Sequence, residues 1–302
     1  MDIDFKLGIF RSALDRYYYF FAFVFEYLYE LFRNLMKKYL AVAKATWQEY
    51  LTYRTNLFLE VIGGFVAQLV IIAVWFSIFR DLKTEIVAGY SLPEMITYLL
   101  GAGIINSFIL IASQGDEIND DINRGKLSGF LVKPLSVPFY WLSRDLCRRA
   151  LTFILGMGEY LVIILILSNY FIPPFSLANF FMFCLAVLLG GILHFFLFYI
   201  FSIIAFWMDQ TWGPRFVIRV IMSIATGSLI PLSLFPANWQ LVFNLLPFKF
   251  MAYFPLQIYL GKVSVSEIIL GFSALLVWIS ALIGISVWIW EKGLKKYSAY
   301  GN

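Results

Sequence analysis

An all-α, polytopic integral membrane protein with six transmembrane helices is the fold this sequence predicts, on three observations. Of its 302 residues 61% are hydrophobic and only 14% charged, a composition that does not suit a water-solvated domain. Six stretches, approximately 57–79, 93–115, 146–170, 178–207, 214–235 and 266–290, each supply the roughly 20 mostly apolar residues that a helix needs to cross a bilayer. The basic residues, finally, gather in every second loop. Lipid offers the backbone no hydrogen-bond partners, and these stretches lack the alternation of barrel strands, so the spans are helices.

Lys and Arg mark the cytoplasmic side of membrane helices. Fifteen fall on one side: Lys37, Lys38, Lys44 and Arg54 before the first span, six between Arg124 and Arg149, then Arg215, Arg219, Lys292, Lys295 and Lys296. Four, Arg80, Lys83, Lys249 and Lys262, fall on the other. Both termini are therefore expected in the cytoplasm. The net charge of +4 reports topology rather than nucleic-acid binding, since no basic face is segregated on a soluble unit. Two cysteines make neither a disulfide framework nor a Cys-rich metal site.

Three regions do not read as spans. Residues 37–56 set Leu40, Ala43, Trp47, Tyr50 and Leu51 on one helical face and Lys37, Lys44, Gln48 and Thr52 on another, an interfacial amphipathic helix that serves as an anchor or as a partner contact. Residues 116–145 are the most polar part. There Glu117, Asp120, Asp121 and Arg124 recur at three or four, with Ile118, Ile122, Phe130 and Leu131 as apolar contacts and Pro134 as a stop. That length far exceeds what joins two helices, and a docking role is expected. Between spans five and six, Pro231, Pro236, Pro247 and Pro255 cut the chain into pieces of about ten residues, too short to cross, which read as short re-entrant or interfacial outer helices.

With these segments in order, residues 36–302 resemble the ABC-2 type exporter permeases, in particular the small six-span bacterial members. The residues that carry the resemblance are Glu117, the Gly125-Lys126-Leu127 step, Leu131 with Pro134, Ile-Pro-Leu-Ser-Leu-Phe-Pro at 230–236, Leu-Pro-Phe at 246–248 and Pro-Leu-Gln-Ile-Tyr-Leu-Gly at 255–261. The resemblance implies a permease in a bacterial inner membrane that pairs with a second permease chain, as homo- or heterodimer, and with cytoplasmic ABC ATPase subunits. It also implies ATPase coupling through Glu117, Asp121, Ile122, Arg124, Gly125, Lys126, Leu127 and Phe130. ATP and Mg belong to the partner, because neither Gly-Lys pair, at 125 and 261, sits in a Gly-x-x-x-x-Gly-Lys-[Ser/Thr] loop. Residues 1–35 depart from the family pattern and read as an aromatic extension, an interfacial helix with Glu26, Glu30 and Arg33 as its polar stripe.

The expected function is thus outward movement of an amphipathic, drug-like or lipid-like compound, with no catalysis and no cofactor of its own. A membrane-embedded enzyme is one alternative, although a single histidine and no hydrolase or metalloprotease motif speak against it. An ion-coupled secondary transporter is the other. Its candidate path residues are Glu60, Glu159 and His194, since ionisable groups inside a membrane mark transport paths when they are not simply satisfied within the packing.

Overall fold

The computed structural model of the chain describes residues 37–52, 54–82, 85–87, 89–109, 115–133 and 135–297. The 1–35 extension and Pro134 lie outside them. Helix α1 covers 37–52 and α2 Arg54–Leu82. A two-residue hairpin follows, β1 (Ile86–Val87) antiparallel to β2 (Tyr90–Ser91), turning at Gly89 with φ +83°. Next come α3 (Leu92–Ile109), α4 (Gly115–Asn123), α5 (Leu127–Leu131), α6 (Val137–Ile166) and α7 (Leu177–Ile203). The last four are α8 (Trp212–Ala225), α9 (Ala237–Leu245), α10 (Tyr253–Tyr259) and α11 (Val265–Lys296).

Among the described residues five stretches are long and apolar enough to cross a membrane: Ile62–Leu82, Leu92–Ile109, Val137–Ile166, Leu177–Phe206 and Val265–Lys296. An unbroken fifth span over 214–235 is not what the chain forms. Helix α8 has 14 residues, about 21 Å of rise, and stops at Ala225 ahead of Gly227, whose φ of +77° turns the backbone away. The chain nonetheless reaches the opposite end before α11 starts, because Lys262 pairs with Glu94 at 2.8 Å and donates to the Gly89 carbonyl at 2.8 Å. A short helix and a broken segment make the passage together.

Ser264 and Glu267 form a reciprocal capping box at the start of α11, and Ser176 caps α7 by accepting from the Asn179 N–H at 3.1 Å. At the other extreme the Tyr297 hydroxyl accepts from the Ser128 N–H at 3.2 Å, and the Tyr39 hydroxyl of α1 accepts from Ser136 at 3.2 Å. Both ends of the described chain therefore gather at the end that carries α4 and α5.

Packing centres on α3 and α7. One apolar cluster joins α2 and α3 through Trp75, Tyr98, Leu99 and Ile105; the second surrounds α7 with α4, α10 and α11 through Leu193, Phe198, Ile258 and Leu275. Small residues set the closest approaches. A Cβ at Gly190 would stand 3.0 Å from the Phe250 carbonyl and 3.3 Å from the Met251 Cα, so the backbone of 250–251 rests directly on α7. That contact lies about 20 Å along α7 from its first residue, deep for a segment expected at the outer surface. The prolines stand at starts: Pro231 and Pro247 at 3-10 turns, Pro236 before α9, and Pro255 in the first turn of α10, where a missing N–H costs no helical bond.

Candidate coupling site

The polar stretch folds as α4, a turn at Arg124–Lys126 and α5. Gly125 takes φ +73°, a left-handed conformation that side-chain-bearing residues rarely adopt. Arg124 pairs with Asp120 at 3.1 Å across one helical turn, with both side chains exposed. The hydrophobic residues of this segment divide in a way the sequence did not reveal. Ile122 and Leu127 lie inside the chain's own core and hold α4 and α5 in place, while Phe130 is half-buried with its ring 4.8 Å from that of Tyr140. What faces outward is Lys126, Leu131 and, 84% exposed, Val132. Beside α4 a cavity of about 460 Å³ opens between Asn123, Trp207, Asp209, Lys296 and Tyr297.

Side-chain amides bind α4 to the next loop: Asn119 donates to the Thr211 hydroxyl at 3.2 Å and Asn123 to the Asp209 carbonyl at 2.6 Å. Burial pushes the Asp121 carboxyl up to about 6 against the opposing pull of Lys126.

Arg144 of α6 is the node of this end. One guanidinium nitrogen binds Glu49 of α1 at 2.9 Å and the other binds Glu117 of α4 at 3.0 Å. Its side chain is 11% exposed and lies 5.6 Å from the Trp141 ring. Glu117, although nearly half exposed, is thus held by a partner within the chain. Two further bonds seat α1 on α6, from the Ser143 hydroxyl to the Tyr39 carbonyl at 2.8 Å and from the Cys147 thiol to the Ala43 carbonyl at 3.2 Å.

One turn further along α6 lies a fully buried polar network. Arg149 donates through Nε to Asp145, through Nη1 to the carbonyls of Phe108 and Ile109, and through Nη2 to His194 Nδ1 at 2.9 Å. Those two carbonyls belong to the last turn of α3, where they have no partner within the helix. A guanidinium only donates, so His194 accepts at Nδ1 and carries its proton on Nε2. Its ring stacks on Phe198 at 4.5 Å. The sequence reading placed His194 by itself; the Asp145/Arg149 spacing of four inside an apolar run was the signal available for its partner.

Of the three candidate path residues, His194 is bonded to Arg149, Glu159 stands half-buried on α6 with no hydrogen bond or ion pair among the described residues, and the Glu60 side chain lies outside them. Among the described residues no group of three or more His, Cys, Asp or Glu is placed to hold a metal.

Residues 65–301 match the family model described as ABC-2 family transporter protein. The chain belongs to that family. Members of the ABC-2 permease family are transmembrane subunits without ATPase activity, and ABC permeases generally pair with ATPase subunits. No curated protein and no solved structure matches this permease.

Proposed function

We propose that this ABC-2 permease is the membrane half of an exporter, that two such chains pair, and that a separate cytoplasmic ATPase docks on the α4–α5 end and drives an amphipathic compound outward across a bacterial inner membrane. The observation that carries the reading is the Arg144 node. A docking helix that merely tied two spans together would need no charged clamp, whereas Arg144 joins α4 to both α1 and α6. Movement of α4 is then passed to a membrane helix and an interfacial helix at once.

The docking surface is made by Arg124, Lys126, Leu131 and Val132 with the cavity beside Asn123, on the architecture of an apolar centre and a charged rim. Ile122 and Leu127 act from within by holding the helices in position. The fifteen-to-four distribution of Lys and Arg supports a cytoplasmic position for this end.

Reconstitution with the cognate ATPase tests the proposal. The chain alone should hydrolyse no ATP; the complex should, and Leu131→Asp with Val132→Asp should weaken assembly while leaving the permease monodisperse. Single cysteines at 173 and 262 should be labelled from outside intact cells and those at 126 and 296 protected. Outside labelling of position 126, or unchanged assembly in the double variant, rejects the reading.

A further inference from the structure

The end remote from α4 carries a cavity of about 490 Å³ between α10, the 3-10 turn Pro247–Phe250 and α11. Its α11 wall runs from Glu267 to Trp278, about 16 Å of helix, with Leu270, Gly271 and Ala274 between. Phe254 sits on Gly271, where a Cβ would collide with its ring, and Phe250 packs edge-on against Phe254 at 5.5 Å. The result is an open groove lined in comparable measure by polar side chains, Asn244, Lys249 and Gln257 among them, and by the apolar and small side chains of α11.

Its charges are not equivalent. Lys262 is held by Glu94 at 2.8 Å, and Glu267 is occupied in the capping box of α11. Lys249 is different: its ammonium donates to the Asn244 amide oxygen at 2.9 Å, and it has no carboxylate partner among the described residues. The neighbouring Phe250 carbonyl rests on α7 at Gly190, so the backbone that carries Lys249 is fixed against the bundle at that point. A cation held at the mouth of a groove without a carboxylate attracts an anion there.

We propose that this groove binds a single-chain amphiphile, with its one anionic group, carboxylate or monophosphate, on Lys249 and its hydrocarbon chain along Leu270, Ala274 and Trp278. The charge of Lys249 selects the head group; the aromatic and small side chains accept a tail of any similar length. Taking this amphiphile for transported cargo rests on the exporter reading above, but its binding does not.

The full chain in phosphatidylcholine nanodiscs, without ATPase or ATP, can be titrated with a palmitic acid that carries a diazirine near the chain end. Crosslinks should fall within 270–278. Lys249→Gln should raise the half-saturating concentration about tenfold, as loss of a charge-assisted bond does, and Lys249→Arg should keep it within about twofold of wild type. Ala274→Phe, which fills the groove but leaves the charge, should abolish labelling. Hexadecyl phosphate competing more strongly than palmitate identifies a phosphate head; the reverse identifies a carboxylate. Cetyl alcohol competing as well as either, Lys249→Gln at wild-type affinity, or crosslinks spread over other lipid-facing helices overturns the proposal. So does disulfide formation between two Ala274→Cys chains, which would show a second copy closing the groove. Loss of ATP-driven export with binding intact would fault the exporter reading instead.

Discussion

Replacing Arg149 with Met should be among the most damaging single changes in the chain. The side chain is completely buried and Asp145 is 3% exposed, so the variant leaves a buried carboxylate without the guanidinium it is bonded to. Breaking a buried pair from one side commonly costs 3–5 kcal/mol, and the carbonyls of Phe108 and Ile109 and Nδ1 of His194 lose a donor as well. These costs overlap, because the same collapse relieves all of them, so about 3–5 kcal/mol in total is the expected loss. Arg149→Met with Asp145→Leu should recover at least half of it, since neither charge then remains. Reversible unfolding in mixed micelles, followed by tryptophan fluorescence, measures the three variants against wild type. An Arg149→Met loss below about 1 kcal/mol, or a double variant no better than the single, would refute the network as described.

Gly190→Ala should cost about 1–3 kcal/mol in the same assay, because its Cβ meets the Phe250 carbonyl at 3.0 Å and backbone cannot swing aside; a neutral result would mean that segment 250–251 is not seated on α7. Arg144→Gln should cost only about 1 kcal/mol of stability, as Glu49 and Glu117 are both nearly half exposed, yet reduce permease-stimulated ATP hydrolysis severalfold; wild-type coupling would remove the node from the mechanism. For Asp121, burial raises the folded carboxyl from 3.8 to about 6, so its contribution to stability is full below the unfolded value and is lost as pH rises through 6. Asp121→Asn should therefore be more stable than wild type by about 1 kcal/mol at pH 7.5, after allowance for solvent screening, and nearly equal to it at pH 4.5; an equal gap at both pH values would contradict the shift. Gly125→Val should lower coupling and cost about 1–2 kcal/mol through its φ of +73°, with Gly125→Asn milder.

Apolar length alone made α2, α3, α6, α7 and α11 legible, and the prolines marked where the later pieces begin. The break after α8 was hidden because 214–235 is mostly apolar beyond Arg215 and Arg219, and hydropathy does not register that Gly227 turns the chain. At the α4–α5 segment the polar helix was readable from its periodicity, but its inner and outer faces were not: Ile122 and Leu127 resemble docking anchors until α7 and its neighbours are seen covering them. Arg144 and Arg149 were counted as topology markers, equal to any loop lysine. Their partners are separated by up to 95 residues in sequence, and no local pattern encodes such a meeting.

One turn of α7, from Gly190 to His194, receives load from both directions. On one side the end of α3 is fixed there, by Ile109 against Gly190 and by Arg149 on His194; on the other the 250–251 backbone leans on Gly190. That turn is a fulcrum. Glycine at 190 and 191 lets the two arms approach closely, so that a tilt of α3 would bear on the far segment through packing alone. Variants on this turn should consequently fail in both respects together, losing the response to the ATPase and the grip of the remote groove by a common factor.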